Sequence, residues 1–150
     1  MKASVFYKHG PPEVLEYTDV DDPVVSNNEV LVKVKACSIN HLDLWIRHGR
    51  TGYSEIPFPH ILGCDISGII EDSNGFTDFN EGDEVIVSPG IGCGKCKYCS
   101  QGNDNFCKQY SIIGGWDRKG GYAEFASVPS QNIIPKPKNL SFEESASLFS

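Results

Sequence analysis

Four cysteines fall close together in the second half of the chain, with the spacing Cys93-x2-Cys96-x2-Cys99-x7-Cys107. Four thiolates suit a tetrahedral zinc ion, with Zn–S distances of about 2.3 Å, and such short spacings let a single loop wrap around one ion. A set of four thiolates leaves no open coordination position, so zinc bound there is structural rather than catalytic. We therefore predict a zinc-binding lobe over residues 90–110, with one structural zinc per chain.

Three other uses of this cysteine cluster stay open at this point. The bacterial iron–sulfur motif has a spacing of x3 and a proline after its fourth cysteine, whereas here the last spacing is x7 and Lys108 follows Cys107. A redox dithiol needs only one Cys-x-x-Cys pair. Disulfides are typical of small secreted domains, but Lys8, His9 and Pro11 interrupt the N-terminal segment before a signal-peptide core could form. The spacing favours zinc.

The overall composition argues against several classes of partner. The 150 residues carry 13 Lys and Arg against 20 Asp and Glu, which gives a formal net charge of −7 and a pI of about 5.0. Nucleic acids and anionic membrane surfaces bind basic faces, so neither is an expected partner. No apolar run reaches the roughly 18 residues of a membrane span. We expect a soluble, cytoplasmic chain that forms one domain.

The elements that must position the cysteines and other polar residues are mostly short strands. Segment 29–36 alternates apolar and charged residues, which is typical of a half-buried strand. Further segments rich in β-branched or aromatic residues are separated by turn residues, and they are 3–7, 14–18, 66–71, 84–88, 122–128 and 132–134. Many short strands at this spacing predict a barrel or a sandwich.

Two helices are predicted as well. Segment 41–48 has apolar residues at helical spacing, with Asn40 as a natural N-cap and Gly49 as a natural stop. The sequence Ser-Phe-Glu-Glu at residues 141–144 forms a capping box that starts a second helix. That helix reaches Ser150, where the sequence stops without a C-cap. We therefore expect more protein to follow.

Several sequence features, taken in chain order, resemble a known family. They are KACSINHLDLW at residues 35–45, PHILGCDISG at residues 59–68, the four-cysteine lobe, and GGYAEF at residues 120–125. Together they resemble the N-terminal catalytic domain of the medium-chain dehydrogenases/reductases, the superfamily of alcohol dehydrogenases and quinone oxidoreductases. The resemblance covers essentially the whole chain. It implies a mainly β (α+β) fold over residues 1–150: a GroES-like, partly open β-barrel with short helices and a zinc lobe.

The resemblance also implies a second domain that binds NAD(H) or NADP(H). In this superfamily a Rossmann domain follows the barrel, so one is expected after residue 150. No Gly-x-Gly-x-x-Gly sequence occurs within residues 1–150. His41 matches a basic position that in the family approaches the cofactor pyrophosphate, and a solvated histidine on the helix surface is the alternative. The full-length protein is expected to be a homo-oligomer.

The positions that ligate a catalytic zinc in the family are changed in this chain. Asn40 stands in place of a cysteine, Gly63-Cys64-Asp65 stands in place of Gly-His-Glu, and the third ligand position falls near Ser150. A catalytic zinc needs three good protein ligands and an open position. Only Cys64 and Asp65 remain as candidate donors, so no catalytic zinc is expected.

The candidate catalytic residues are therefore Asn40, Asp43, Cys64 and Asp65. The Asn-x-x-Asp pattern of the first two resembles that of zinc-independent quinone and enone reductases. There the amide can hydrogen-bond a substrate carbonyl and polarise it. Asn40 is equally well explained as a helix cap, Asp43 as a structural carboxylate that accepts bonds from nearby amides, and Cys64 as a small buried apolar residue.

Two further family positions concern proton transfer. Leu42 and Trp45 replace a hydroxyl residue and a histidine of the family's proton relay, and neither side chain passes a proton. Tyr53 and Trp116 are candidates for lining an apolar substrate pocket, although a single aromatic residue more often serves packing.

The resemblance implies the substrate-side domain of an NAD(P)-dependent oxidoreductase with structural zinc. Its substrate is expected to be a small carbonyl compound, alcohol or enone, with hydride transfer to or from the nicotinamide. One alternative is a zinc-dependent alcohol dehydrogenase with unusual catalytic ligands. Another is a non-enzymatic, zinc-stabilised GroES-like binding module. Residues 1–150 alone are expected to be inactive.

Overall fold

The computed structural model describes residues 1–50, 56–76 and 78–149, so Tyr53 and Ser150 lie outside it. Most regular elements of these residues are strands, which confirms the predicted mainly β class. In chain order the strands are β1 (Lys2–Phe6), β2 (Glu16–Asp19), β3 (Glu29–Ser38), β4 (His60–Ile61), β5 (Asp65–Asp72), β6 (Glu84–Val87), β7 (Gly90–Ile91), β8 (Ser111–Ile112), β9 (Phe125–Pro129) and β10 (Ile133–Pro135). The helices are α1 (His41–His48) and α2 (Phe142–Ala146).

The strands pair in antiparallel fashion in three groups. The order β10-β6-β5-β3-β9 forms a five-stranded sheet, and β2-β1-β4 forms a three-stranded sheet. The third group is the two-residue ribbon β7-β8. This ribbon stands at the base of the cysteine lobe, because its two strands lie immediately before and after the four cysteines.

The main core lies on one face of the five-stranded sheet. Along β3, Val30 and Val32 are fully buried whereas Leu31 between them is not, as the alternation of side chains along a strand requires. These valines pack with apolar residues of the neighbouring strands, among them Ile66, Ile70 and Val85. A second cluster joins α1 to the three-stranded sheet and contains Phe6, Ile46, Ile56 and Leu62.

Irregular pairing between β3 and β5 shapes the approach to α1. The register shifts between Leu31 and Val32 and again between Val34 and Ala36. Beyond the second shift, Ser38 pairs with Asp65, the first residue of β5. Such bulges bend a strand and redirect its side chains. The end of β3, and the loop that enters α1, are thereby brought beside the start of β5.

Two predicted strands differ from the observed ones. The expected strand 14–18 is a single 3-10 turn over Pro12–Val14 followed by β2, because a proline at the start of the turn favours a helical backbone there. The expected strand 122–128 begins only at Phe125. Before it, residues 122–124 bond to both sheets: Ser4 N–H donates to the Tyr122 carbonyl and Val34 N–H to the Glu124 carbonyl. The segment crosses between the sheets, and its only bridge is the single antiparallel pair of Ala123 with Ala3 of β1 among the described residues.

Both predicted helices are present, but α2 does not continue to the end of the chain as expected: it ends at Ala146, and a 3-10 turn follows over Ser147–Phe149. In α2, both hydrogen bonds of the capping box form, from Glu144 N to Ser141 Oγ at 3.2 Å and from Ser141 N to Glu144 Oε2 at 2.9 Å. The helix lies against β3 and β5, where Ser67 Oγ donates to the Phe142 carbonyl at 2.6 Å. Among the described residues, no helix has the length and apolar character needed to cross a lipid bilayer.

Candidate active site and metal centre

The four clustered cysteines converge on one point. The Sγ atoms of Cys93, Cys96, Cys99 and Cys107 all lie within 4.8 Å of one another. Cys99 Sγ is 4.0 Å from that of Cys93 and 3.5 Å from that of Cys96. A tetrahedral ion with Zn–S bonds of about 2.3 Å sets its sulfur atoms about 3.8 Å apart. The donor set therefore fits a four-thiolate zinc ion.

Tight local turns bring these sulfur atoms together. Two 3-10 turns, Cys99–Gln101 and Asp104–Phe106, fold the chain between the third and fourth cysteines. Backbone amides bond the sulfur atoms, with Cys99 N 3.5 Å from Cys96 Sγ and Gln109 N 3.4 Å from Cys107 Sγ. Amide donors favour the thiolate form, which is the form that binds metal.

The local environment favours the thiolate form at two of the four cysteines and opposes it at a third. Backbone amides of Lys95 and Cys96 lower the pKa of Cys93 to about 6. The Cys99 amide likewise lowers the pKa of Cys96. Desolvation raises the pKa of Cys99 to about 11, so a metal must help to deprotonate this thiol.

Asn40 and Asp43 form a capping box at the start of α1. The Asn40 backbone amide donates to Asp43 Oδ2 at 2.8 Å, and Asn40 Oδ1 accepts from Leu42 N at 3.1 Å. The helix ends where Gly49 adopts a left-handed conformation. Asn40 therefore caps α1 in the structure, as one of its two interpretations expected.

The Asp43 carboxyl group is the centre of a buried network. The residue is only 3% exposed, and its Oδ1 accepts from Gly63 N at 2.9 Å while its Oδ2 also accepts from the Tyr122 hydroxyl at 2.8 Å. Gly63 has a φ of 99°, and a Cβ there would lie 2.6 Å from the Tyr122 ring and 2.7 Å from Cys37 Sγ. Only glycine fits this crowded turn. Asp43 thus ties α1 to the loop before β5.

The second carboxylate, Asp65, holds the side chain of Asn40. Asn40 Nδ2 donates to Asp65 Oδ2 at 3.0 Å, and Asp65 is fully buried. With its Oδ1 bonded to Leu42 N, Asn40 turns an N–H group rather than its oxygen toward Asp65. An amide in this orientation is a hydrogen-bond donor and not a metal ligand.

Cys64 lies next to Asp65 and is 3% exposed. Burial raises the pKa of its thiol far above the usual range, and the Asp65 and Asp43 carboxylates raise it further. Cys37 is affected in the same way, chiefly by burial. In the described part of the chain, the four-cysteine lobe is the one group of three or more side chains placed to share a metal ion. Cys64 and Asp65 are therefore not joined by a third such donor among the described residues.

The remaining candidates lie at the edge of this network. His41 is exposed at the first position of α1, with its ring centroid 6.2 Å from that of Trp45, which is 53% exposed. Trp116 is half-buried and packs against the cluster that contains Phe6 and Ile46. A cavity of about 750 Å³ lies elsewhere, against the three-stranded sheet and β9, and none of the candidate site residues lines it.

Two residues of the network were not singled out from the sequence. Tyr122 entered the sequence analysis only as part of the GGYAEF segment, yet its hydroxyl bonds Asp43 across 79 positions of the chain. Gly63 was noted only for its neighbours. Both residues lie in glycine-containing motifs, Tyr122 in GGYAEF and Gly63 in PHILGCDISG. A large aromatic side chain next to glycine suggests close packing of its ring, and this is the signal that could have identified them.

Comparisons with known proteins agree with this architecture. Residues 26–138 match the family model of the alcohol dehydrogenase GroES-like domain. The NAD-dependent alcohol dehydrogenase of Sulfolobus acidocaldarius is 36% identical over 146 residues, which cover 94% of this chain and 42% of that protein. An alcohol dehydrogenase of Geobacillus stearothermophilus is also 36% identical, over 99% of this chain and 44% of that protein.

Solved structures give the same result. A crystal structure of an NAD-dependent alcohol dehydrogenase superimposes with a TM-score of 0.93 at 46% sequence identity, over 99% of this chain and 43% of that one. A cobalt- and zinc-bound thermostable alcohol dehydrogenase from Pyrobaculum aerophilum superimposes with a TM-score of 0.89 at 33% identity, over 99% and 44% of the two chains. The chain thus spans less than half the length of these relatives. It belongs to the zinc-binding alcohol dehydrogenase family of the medium-chain dehydrogenases/reductases and forms the GroES-like domain of that family.

Proposed function

We propose that this chain is the substrate-side domain of an NAD(P)-dependent oxidoreductase that interconverts a small alcohol and a carbonyl compound, or reduces a conjugated enone. The relatives that support this proposal are alcohol dehydrogenases, but they are more than twice as long as the chain. The complete protein would therefore carry a Rossmann domain beyond residue 150. A cytoplasmic location and a homo-oligomeric state remain predictions from the sequence.

In this proposal the lobe holds one structural zinc through Cys93, Cys96, Cys99 and Cys107. The convergence of four sulfur atoms within 4.8 Å supports this ligand set. A closed set of four thiolates offers no position to substrate. The metal would contribute to folding of the loop, and the chemistry would take place elsewhere.

The observation that carries the catalytic part of the proposal is the Asn40–Asp65 hydrogen bond. Asp65 holds the Asn40 amide through one of its two hydrogens, and the second has no hydrogen-bond partner among the described residues. Asn40 is partly exposed at the N-terminal end of α1, where the helix dipole is positive. A substrate carbonyl could accept this second hydrogen and be polarised by it.

The bound nicotinamide would supply or accept the hydride. His41, exposed at the first turn of α1, would favour an anionic group such as the cofactor pyrophosphate. Leu42 and Trp45 provide no proton, so protonation of the product would depend on other groups or on water. Cys64 would contribute to packing beneath the site, since its thiol is buried and neutral.

A second candidate is a zinc-dependent alcohol dehydrogenase with unusual ligands, and the names of the relatives favour it. It would require Cys64 and Asp65 to bind a second zinc together with donors outside the described residues. The use of Asp65 by Asn40 argues against it. The two candidates differ in the number of zinc ions bound per chain.

The experiment that tests the proposal compares two substitutions of Asn40 in the full-length protein, assayed with NADH and NADPH on ketones, aldehydes and enones. Asn40→Ser keeps a helix-capping oxygen but removes the amide donor, and we expect kcat to fall about 100-fold. Asn40→Ala removes both and should in addition destabilise the protein by about 1 kcal/mol. The exposed Asn139→Ala is the control. A kcat for Asn40→Ser equal to that of the unmodified protein would show that Asn40 serves only as a helix cap.

A further inference from the structure

A buried asparagine outside the lobe contacts the point where the lobe leaves the barrel. Asn132 closes a 3-10 turn (Ser130–Asn132) just before β10 and is 4% exposed. Its Nδ2 donates two hydrogen bonds, to the carbonyl oxygens of Ser88 and Gly90, each at 2.7 Å. Ser88 follows β6, and Gly90 opens β7. A single amide group therefore binds both sides of the turn that leads into the lobe.

The neighbouring contacts reinforce this junction. Ser88 N donates to the Asn132 carbonyl at 2.8 Å, so backbone and side chain of Asn132 bond the same residue. Gln131 Nε2 donates to the Gly92 carbonyl at 3.3 Å. On the other side of the lobe, Ile113 N donates to the Pro89 carbonyl at 3.0 Å. The contacts of Asn132 and Gln131 fall directly before Cys93, the first of the four cysteines.

The hydrogen-bond acceptors around position 132 require a primary amide side chain there. The carbonyl oxygens of Ser88 and Gly90 both point at one group and need a donor with two hydrogens, which a primary amide supplies. The other atom of that amide, Oδ1, is buried and accepts no hydrogen bond within the described residues. A reversed amide would set its oxygen against two carbonyl oxygens. A carboxylate would do the same with an added charge.

The metal ligands depend on the path that this junction sets. Gly90–Ile91 pairs in antiparallel fashion with Ser111–Ile112, so Cys93, after β7, and Cys107, before β8, lie beyond the same end of the ribbon. Displacement of Gly90 would move the ribbon and change the separation of the sulfur atoms. Partners that hold ligand-bearing segments in place contribute to metal affinity without touching the metal.

We propose that Asn132 is a positioning residue for the structural zinc: its amide fixes the start of the lobe and so lowers the rate at which zinc is lost. The inference rests on the proposed zinc site, but it concerns a residue that is not a ligand. It predicts that the stability of the metal centre depends on a side chain that lies 25 positions beyond the last cysteine.

The test measures zinc release from the full-length protein to a chromophoric chelator, after the zinc content of the unmodified protein has been determined. Asn132→Asp and Asn132→Leu should release zinc about tenfold faster or more. The leucine variant separates the loss of the two hydrogen bonds from the added charge of the aspartate. Asn139→Asp, at an exposed turn before α2, carries the same charge change and should release zinc at the original rate.

Cobalt(II) substitution provides a second readout, because its thiolate absorption bands report the geometry of the four sulfur atoms. We expect altered bands in both Asn132 variants and unchanged bands in Asn139→Asp. Release at the original rate from folded Asn132 variants would overturn the inference. If neither Asn132 variant folds, Gln131→Ala decides instead, with about threefold faster release expected for the loss of one exposed hydrogen bond. Absence of zinc from the unmodified protein would contradict the zinc site itself, which is a distinguishable outcome.

Discussion

The side chain of Asn40 donates a hydrogen bond of 3.0 Å from its Nδ2 to Oδ2 of Asp65, and this bond joins the cap of α1 to the first residue of β5. In the catalytic-zinc members of the family that the sequence resembles, these two positions carry a cysteine and a glutamate. Here the two side chains bond each other directly. This donor–acceptor pair is the basis of the zinc-independent chemistry proposed above.

Substitution of Tyr122 by phenylalanine tests the network around Asp43. Tyr122→Phe removes the 2.8 Å hydrogen bond from the hydroxyl to Asp43 Oδ2 and leaves the ring against Gly63. We expect the free energy of unfolding to fall by about 1–3 kcal/mol, since a buried carboxyl group loses one of its donors. Urea denaturation measures the change. Tyr17→Phe, at a side chain that is 76% exposed, should leave stability unaltered. Equal stabilities for the two variants would contradict the importance of this bond.

The pH dependence of stability should reflect His60. This histidine is fully buried in β4 beside the Phe6 ring, and burial lowers its pKa below the usual 6.5. The unfolded chain therefore binds a proton more readily than the folded one, so stability is present above the unfolded pKa and declines as pH falls below it. Denaturation between pH 8 and pH 5 should show a smaller decline in stability in His60→Gln than in the unmodified protein. The exposed His41→Gln should keep the full decline.

Replacement of Cys64 by alanine tests whether that thiol binds metal. Cys64 is buried and its thiol stays protonated, so Cys64→Ala should cost about 1 kcal/mol of stability through lost packing. The zinc content should stay unchanged. Metal analysis of the purified variant provides the measurement. Loss of one zinc equivalent would reveal a second metal site and favour the alternative alcohol dehydrogenase mechanism.

The lobe should lose its structure independently of the barrel. Cys99→Ser removes a ligand that lies within 4.0 Å of two other sulfur atoms, and structural zinc contributes strongly to the folding of short loops. Hydrogen exchange should therefore accelerate in residues 90–110 and stay slow in β3, β5 and β6. A general loss of protection would show that the lobe and the barrel fold as one unit. Ser100→Ala, at an exposed neighbouring position, is the control.

Local signals in the sequence predicted much of this fold. The alternation of residues 29–36 marked β3, and Asn40 with Gly49 marked the ends of α1, which runs from His41 to His48 as expected. The capping box of α2 also forms as predicted. The helix signals succeed because caps are hydrogen bonds between near neighbours in the chain, and the signal of β3 succeeds because alternating burial leaves a two-residue period in the sequence.

Other features depend on contacts between distant parts of the chain. The two-residue strands β4, β7 and β8 carry too few residues for a periodic signal. The path of residues 122–124 is set by donors from both sheets, so local propensity did not reveal it. The bonds of Tyr122 to Asp43 and of Asn132 to Gly90 likewise appear only when the fold is known. At the site, the sequence identified the polar residues but not which of them bond each other.

The most direct test of the account is the zinc content of the full-length protein, measured by mass spectrometry or atomic absorption after dialysis. The account predicts one zinc per chain, held by the four clustered cysteines, retained in Cys64→Ala and lost in Cys99→Ser. Two zinc ions per chain, with one lost in Cys64→Ala, would contradict the zinc-independent site at Asn40 and Asp65. A chain that binds no zinc, or that binds iron in the lobe, would contradict the structural metal centre.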